Sequence, residues 1–293
     1  MRHFTREEIE ALDPTEVADA MARALAMVAR GAAVAPVRAH IELGDGAGTY
    51  LISGVLTELD LMTVKVISVR PANPESGRAR LQGALTAFKA STGEPVATFD
   101  ARAATEVRTA ACSAVSFRLL ARRDAEVLVI FGTGPQASAH RRALSAEHEF
   151  REVTVVGRGG DAREALRVAD AIVTATNSTR PLFAAAEVRP GTHLMCVGSG
   201  SAAAMEVEPE LLARASAIRV DHRQSCLEES GEIARAVASG LIDAKDVREL
   251  GEVVLGTAPG RGGAADITVY KSVGNGTQDA ALAALLLGVS TRR

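Results

Sequence analysis

The stretch from Glu126 to Ala137, EVLVIFGTGPQA, decides the predicted fold, because an apolar run of strand type ends in glycines and leads into a helical pattern. Residues 127–131 are apolar on both faces, which is typical of a fully buried parallel strand. Gly132 predicts a tight turn, and Gly134 would let the backbone approach a pyrophosphate. The small residue Ala137 permits close packing of helix against strand. The stretch predicts a βαβ unit whose helix N-terminus binds the phosphates of a dinucleotide.

A second buried strand, EVTVVG at 152–157, follows at the distance that a βαβ unit requires. The alternative interpretation is an ordinary glycine turn in an α/β domain. Further strand-like runs recur between residues 128 and 220, and they read LVIFG, VTVVG, AIVTAT, HLMCVG and AIRV. Helical or loop segments separate them, which predicts a parallel sheet.

Composition and charge narrow the class of protein. The 293 residues are enough for two compact domains, and 47% apolar residues can bury a core. The net charge of −3, with acidic and basic residues interspersed, argues against a nucleic-acid partner. The N-terminus is charged, and the longest apolar run, residues 280–289, is too short to span a bilayer. We therefore expect a cytoplasmic protein without a membrane partner.

The cysteines predict no metal site and no disulfide framework. Cys112, Cys196 and Cys226 are odd in number and lack the C-x-x-C spacing of zinc sites and redox motifs. We expect them to be buried structural thiols.

Three cations in the first 108 residues fall on three different predicted elements. Arg38 lies in an alternating strand pattern, and Lys65 lies among the apolar residues of LMTVKVISV. A cation in such a run either extends to a rim or faces a polar cavity. A helical pattern begins near Thr105 as N-cap and places Arg108 in the first turn, where a cation opposes the helix dipole. These cations would converge on an anion, although Arg108 is also explained as an exposed surface residue.

Several stretches together resemble the ornithine cyclodeaminase/mu-crystallin family. They are EVRTAACSAVSFRLLARRDAEVLVIFGTGPQA, ADAIVTATNSTRPLF, VDHRQSCLEESGEI, LGEVVLG and DITVYKSVG. The resemblance implies an α/β protein in which a Rossmann domain, a doubly wound parallel sheet at 108–267, is inserted into an α+β domain. The α+β domain would comprise 1–107 and 268–293, bind the substrate and form a homodimer. Members of the family bind NAD(H) or NADP(H).

The resemblance also implies roles for individual residues. Arg38, Lys65 and Arg108 would hold the α-carboxylate of an amino-acid-derived substrate, with Lys65 and Arg108 as the catalytic residues. Glu229 and Ser272 would line the substrate pocket, although a solvated carboxylate is the alternative for Glu229. The predicted cofactor-binding residues are Gly132, Thr133, Gly134, Pro135, Gln136, Arg158, Thr176, Asn177, Val197 and Ser272.

The end of the second strand predicts the cofactor. A site that prefers NAD normally has Asp or Glu there to bind the ribose 2′-hydroxyl, whereas this chain has Gly157 and Arg158. NADP(H) is therefore favoured over NAD(H). Asp161, three residues further on, is the one residue that would reverse this preference.

One departure from the family pattern bears on the reaction. Cyclodeaminases and related alanine dehydrogenases of the family carry a catalytic Asp two residues after the glycine of HLMCVG, where this chain has Gly198, Ser199 and Gly200. Ketimine reductases of the family also lack this Asp. We therefore predict an NAD(P)H-dependent reductase of an imine such as 1-pyrroline-2-carboxylate, or the reverse amino-acid dehydrogenase. The alternatives are deamination of the ornithine cyclodeaminase or alanine dehydrogenase type, and a non-catalytic, NADPH-dependent small-molecule binding protein.

Overall fold

The computed structural model describes residues 1–198 and 201–289, which form two compact units. The first unit consists of Met1–Arg108 and the segment that begins at Asn275, and the second consists of Thr109–Gly274. Each unit is built on one sheet of seven strands. Among the described residues, no helix is both long enough and apolar enough to cross a membrane.

The first unit carries an antiparallel sheet to which one parallel strand is added. Its strands are β1 (Arg2–Phe4), β2 (Ala33–Val34), β3 (Ala39–Gly44), β4 (Ala47–Leu56), β5 (Leu61–Val69), β6 (Leu81–Lys89) and β7 (Pro95–Phe99). Its helices are α1 (Arg6–Glu10), α2 (Pro14–Ala29) and the C-terminal helix, α10 (Gly276–Leu287). The strand order is β1-β7-β6-β5-β4-β2, with β3 paired to β4 and β1 parallel to β7. The predicted strand at 61–69 is confirmed as β5.

The C-terminal helix α10 contacts β4, β5 and α2. Gly54 of β4 meets Gly276 at the start of α10, and a Cβ on either glycine would overlap the backbone of the other. The hydroxyl of Thr63 donates to the Gly276 carbonyl at 2.9 Å. This close approach needs residues without side chains, and it seats the helix on the interior strands of the sheet.

The opposite face of this sheet is apolar and exposed. Leu51 of β4 lies opposite Val66 of β5, and these side chains are 41% and 37% exposed. The side chains at alternate positions along these strands, such as Ile52 and Leu85, are buried on the inner face. The sheet therefore has one covered face and one apolar face that nothing in the described chain covers.

The second unit carries an all-parallel sheet with helices between the strands. Its strands are β8 (Val127–Phe131), β9 (Glu152–Val156), β10 (Ala171–Thr174), β11 (His193–Cys196), β12 (Ala217–Val220), β13 (Val247–Glu249) and β14 (Thr268–Lys271). The helices are α3 (Ala101–Leu120), which begins in the first unit, α4 (Pro135–Glu147), α5 (Arg163–Val168), α6 (Pro209–Arg214), α7 (Arg223–Glu229), α8 (Gly231–Ala238) and α9 (Leu250–Val254).

The order of the strands in this sheet is β13-β12-β14-β11-β10-β8-β9. Because β9 lies on one side of β8 and β10 lies on the other, the chain reverses direction across the sheet at β8. Open parallel sheets bind ligands outside the carboxyl ends of their strands at such a switch point. The predicted parallel sheet and the five predicted strands are confirmed.

Two boundaries differ from the sequence predictions. Residues 268–274 were assigned to the first domain, but β14 pairs with β11 and β12 inside the parallel sheet. The predicted start of a helix at Thr105 is also wrong. Helix α3 begins at Ala101, the carboxylate of Asp100 accepts from the Ala103 amide at 2.7 Å, and the Thr105 hydroxyl donates to the Ala101 carbonyl. Arg108 therefore lies beyond the first turn, where the helix dipole no longer opposes its charge.

Candidate active site

Lys65 lies on the interior strand β5 with a fully buried side chain. Its ammonium is 2.8 Å from each carboxylate oxygen of Asp279 in α10, and it donates to the Thr105 hydroxyl at 3.1 Å. Asp279 is also fully buried. A buried charge is tolerated only when it is paired, so this ion pair accounts for how Lys65 occupies an apolar strand.

The predicted arginines lie in the same unit as this ion pair. Arg108 is 5% exposed, donates to the Gln278 side chain at 2.6 Å, and has its Nε atom 3.6 Å from Asp279. Arg38 immediately precedes β3, and its guanidinium lies over the Tyr50 ring, 4.7 Å from the ring centre. The structure thus places all three predicted cations in the first unit.

The charges of these groups act on one another. Burial lowers the pKa of Lys65 to about 8, the Asp279 carboxylate opposes this shift, and the charges of Arg108 and Arg38 add to it. Lys65 and Arg108 therefore share one carboxylate, and the charge of Arg38 also acts on Lys65. The excess positive charge suits an additional anion, and a planar carboxylate is the anion that arginine and lysine bind best in such a setting.

The predicted dinucleotide turn follows β8 in the second unit. Gly132 has φ +119°, and a Cβ there would come within 2.5 Å of the Ala175 carbonyl oxygen. Gly134 is the N-cap of α4, and nothing lies within 4 Å of the position that a Cβ would occupy. Pro135 occupies the first turn of this 13-residue helix, where its missing N–H costs nothing. Thr133 and Gly134 are exposed, so the turn offers free backbone to a pyrophosphate, as a dinucleotide requires.

The end of β9 adjoins this turn, since a Cβ on Gly157 would lie 3.4 Å from the Thr133 methyl group. Arg158, the next residue, is exposed. The carboxylate of Asp161 accepts from the Arg163 amide at 3.0 Å and lies 3.5 Å from the Arg163 guanidinium. Asp161 is thus directed to the start of α5.

The ends of β10 and β11 are joined by a carboxylate that the sequence predictions missed. Glu206 is fully buried and accepts hydrogen bonds from the amides of Thr176 and Gly198, both at 2.8 Å. Asn177, the next predicted residue, is exposed, and Val197 donates its amide to the Thr174 carbonyl of β10. Gly200 lies outside the described residues.

Asp221 organises the segment that follows β14. Its carboxylate accepts from the Ser272 hydroxyl at 2.8 Å and from the Gly274 amide at 2.7 Å. Ser272 is 2% exposed, whereas Glu229, at the end of α7, is half-buried. Ser272 is therefore held in place by a buried acid, and Glu229 lies on a separate element.

The sequence contained a signal for one of the missed residues. Asp279 is the only charge in QDAALAALLL, and an isolated carboxylate in an otherwise apolar helix predicts a buried partner. Glu206 gave no comparable signal, because AMEVEPE resembles an exposed acidic loop.

The cysteines and the acidic groups offer no metal centre. All three cysteines are free and buried, which confirms the prediction of buried thiols. Within residues 1–198 and 201–289, no group of three or more His, Cys, Asp or Glu side chains is arranged to hold a metal ion.

A glycine turn at the switch point of a parallel sheet is typical of a dinucleotide-binding protein, and the buried Lys65 and Arg108 beside Asp279 are of the kind that bind an anion. The sequence profile of the ornithine cyclodeaminase/mu-crystallin family matches residues 3–166 and 158–288. The chain belongs to this family, as the resemblance in its sequence predicted.

Individual relatives match over nearly the whole chain. A Delta(1)-pyrroline-2-carboxylate reductase of Bacillus cereus is 30% identical, and the match covers 98% of this chain and 95% of that protein. The same enzyme from Thermococcus litoralis, solved in complex with NADH and L-proline, is 28% identical with a TM-score of 0.92 and full coverage of both chains. An archaeal alanine dehydrogenase dimer with bound NAD is 28% identical with a TM-score of 0.90, and covers 98% of this chain and 95% of its own.

Proposed function

We propose that this protein is an NAD(P)H-dependent reductase of a small imine that carries an α-carboxylate, with a cyclic ketimine such as 1-pyrroline-2-carboxylate as the substrate. The predicted class of enzyme, a nicotinamide-dependent oxidoreductase acting on C=N bonds, is confirmed by the relatives. Lys65 and Arg108 beside Asp279 carry the proposal, together with the charge of Arg38 that acts on Lys65, because they supply the excess positive charge that an α-carboxylate needs.

These residues bind and orient the substrate, and this orientation is the contribution to catalysis that we propose for Lys65 and Arg108. Lys65 and Arg108 are buried and held by Asp279 and Gln278, so their donors are in place before the substrate arrives. Such preorganisation lowers the cost of binding and fixes the direction in which the imine carbon points. The glycine turn from Gly132 to Gly134 and the start of α4 would hold the pyrophosphate of the cofactor, and a bound nicotinamide supplies the hydride.

The departure at Gly200 favours reduction over deamination. Deamination requires a positioned acid or base close to the reacting carbon, to assist the addition of water or an amine to the imine. Glycine has no titratable group, and the hydroxyls of Ser199 and Ser201 are poor bases near neutral pH. Reduction of a preformed, protonated imine needs a hydride and orientation, which the loss of that carboxylate does not remove.

We therefore expect the purified protein to oxidise NADPH when 1-pyrroline-2-carboxylate is added, and to release no ammonia from ornithine in the presence of NAD⁺. Loss of absorbance at 340 nm measures the first reaction, and a coupled ammonia assay measures the second. Ammonia release from ornithine at a rate comparable to imine reduction would contradict the proposal. It would indicate that another carboxylate, with Glu229 as the first candidate, has taken over the acid/base role.

We propose further that NADP(H) is preferred over NAD(H). Arg158 is exposed and follows β9 after one intervening residue, Gly157, where a 2′-phosphate would lie in a Rossmann site. Asp161, the residue that would favour NAD, is directed to the amide and guanidinium of Arg163. The two solved relatives bind NADH or NAD, so the proposed preference for NADP(H) depends on the residues at the end of β9 in this chain.

For the Arg158→Ala variant, we expect kcat/KM with NADPH to fall roughly tenfold to a hundredfold, since a hydrogen bond to a charged group contributes about 1.5–3 kcal/mol. The value with NADH should change little. Arg167→Ala is the matched control, because Arg167 is exposed and pairs with Glu164 on α5. A wild-type protein with a higher kcat/KM for NADH than for NADPH would refute the preference.

We infer that the protein is a homodimer formed through the exposed sheet face of the first unit. Leu51 and Val66 lie next to each other on that face, and large exposed apolar surfaces on a sheet are typical of interfaces. A face that pairs with its own copy forms a closed, two-fold symmetric contact. The alanine dehydrogenase relative is itself a dimer.

The double variant Leu51→Glu/Val66→Glu should therefore be monomeric in light scattering coupled to gel filtration, while the wild type has twice the monomer mass. Placing four carboxylates in one symmetric apolar contact leaves buried charges without partners. Leu241→Glu, an exposed leucine of the second unit, is the control and should leave the mass unchanged. A monomeric wild type, or a double variant that is still dimeric, would exclude this interface.

A further inference from the structure

Glu206 is a fully buried carboxylate in the second unit. One oxygen, Oε1, accepts from the amide and the hydroxyl of Thr176, both at 2.8 Å. The other oxygen, Oε2, accepts from the Gly198 amide at 2.8 Å and the Thr174 hydroxyl at 2.9 Å. All four donors lie at the carboxyl ends of β10 and β11, the edge of the sheet at which open parallel sheets bind ligands.

The contact between these two strand ends depends on this carboxylate. A carboxylate offers about four lone-pair sites, and here each oxygen accepts two hydrogen bonds. Gly198 has no room for a side chain, since a Cβ would overlap the Thr176 backbone and the Glu206 carboxylate. The segments that follow β10 and β11 are therefore held at a separation set by one side chain.

The backbone of Glu206 is held in turn by a second buried acid. The Glu206 amide donates to Glu232 at 2.9 Å, and Glu232 also accepts from the Ser230 hydroxyl at 2.8 Å. The Lys271 ammonium, at the end of β14, is 3.4 Å from Glu232. Burial raises the pKa of the Glu232 carboxyl, but the Lys271 charge and the hydrogen bonds outweigh burial and hold the pKa below its ordinary value. The ends of three neighbouring strands, β10, β11 and β14, are thus joined through two buried acids.

We propose that Glu206 is a positioning residue for the dinucleotide, which it does not touch, because it fixes the backbone around Thr176 and Gly198 at the cofactor edge of the sheet. Of the proposed function, this role requires only that the chain binds a nicotinamide dinucleotide. The affinity for the dinucleotide, rather than the chemical step, should depend on it.

The Glu206→Gln variant tests this role with almost no change of shape. The amides of Thr176 and Gly198 bind different oxygens of Glu206, so a glutamine turned either way directs its NH₂ group at one backbone N–H. Hydroxyl groups can rotate to accept from it, but an amide N–H cannot. One of the two strand ends must then move away.

Asp170→Asn is the matched control. Asp170 is buried, precedes β10 at the opposite edge of the same sheet, and accepts from the amides of Glu126 at 2.7 Å and Val127 at 3.0 Å. It also accepts from Arg122 at 2.8 Å and from Arg189. Both amides bind the same oxygen, Oδ2, so an asparagine directs its NH₂ group either at these amides or at the two arginines. The substitution therefore also places an amide among donors in a buried site, but far along the strands from the edge that binds ligands.

Equilibrium titration with NADPH and with NADH, followed by dinucleotide fluorescence, provides the measurement, and thermal melting reports stability. We expect Glu206→Gln to raise the Kd for each dinucleotide at least tenfold. Asp170→Asn should keep a Kd within twofold of the wild-type value, even when its Tm falls by as much as that of Glu206→Gln. An unchanged Kd for Glu206→Gln overturns the proposal, and so does an equal rise in Kd for Asp170→Asn.

A second variant keeps the test decisive if Glu206→Gln does not fold. Thr174 is fully buried, so it reaches no ligand, and Thr174→Val removes its hydrogen bond to Glu206 without changing the carboxylate. A severalfold higher Kd is expected, and a wild-type Kd would overturn the proposal. Because these titrations need no turnover, a protein that binds NADPH but reduces no imine would refute the proposed function and leave this inference standing.

Discussion

The ion pair between Lys65 and Asp279 is the constraint on which the first unit depends. Removing an ammonium from water costs several kcal/mol, so Lys65 can occupy an interior strand only when a partner is supplied. The partner lies 214 residues further along the chain, in the helix that follows the second unit. The first unit therefore consists of two segments of the chain that flank the whole second unit in sequence.

The same constraint assembles the predicted anion site. The helix that brings Asp279 also brings Gln278, which accepts the hydrogen bond from Arg108. In the second unit, the buried acids Glu206 and Asp221 have an equivalent role, because they hold the segments that follow β10, β11 and β14. In both units, a buried carboxylate fixes the groups that would contact ligands. This fits the general observation that buried polar groups are retained where they specify one arrangement.

Local patterns in the sequence predicted the elements but not all of their partners. The strand, glycine turn and helix from Val127 to Glu147 were predictable, because buried strands, tight turns and helix starts each have short-range signatures. The strand at Thr268–Lys271 was assigned to the wrong domain, since a short apolar run does not indicate which sheet it joins. The start of α3 was missed because Asp100, the residue that caps it, precedes a run of alanines without apolar periodicity.

The candidate site was predictable to the same extent. Arg38, Lys65 and Arg108 were predicted as an anion site because cations stand out in strand patterns and in the stretches that resemble the family, and their role stays a prediction. Glu206 was not found, because its four donors come from two strands that meet only in the folded chain.

The central claim, that Lys65 carries a charge that binds the substrate carboxylate, is tested most directly by the inhibition constant of pyrrole-2-carboxylate between pH 6.5 and 9.5. This planar analogue keeps its carboxylate ionised throughout that range. With the pKa of Lys65 at about 8, the ammonium is charged at the lower end and loses its proton as the pH rises. We predict that affinity is nearly constant from pH 6.5 to 7, begins to fall as the pH approaches 8, and is roughly tenfold or more lower by pH 9.5, since a charged hydrogen bond contributes about 1.5–3 kcal/mol. Asp279→Asn removes the carboxylate that raises the pKa of Lys65, so the fall should begin at a lower pH. An inhibition constant that is the same from pH 6.5 to 9.5 would contradict the account.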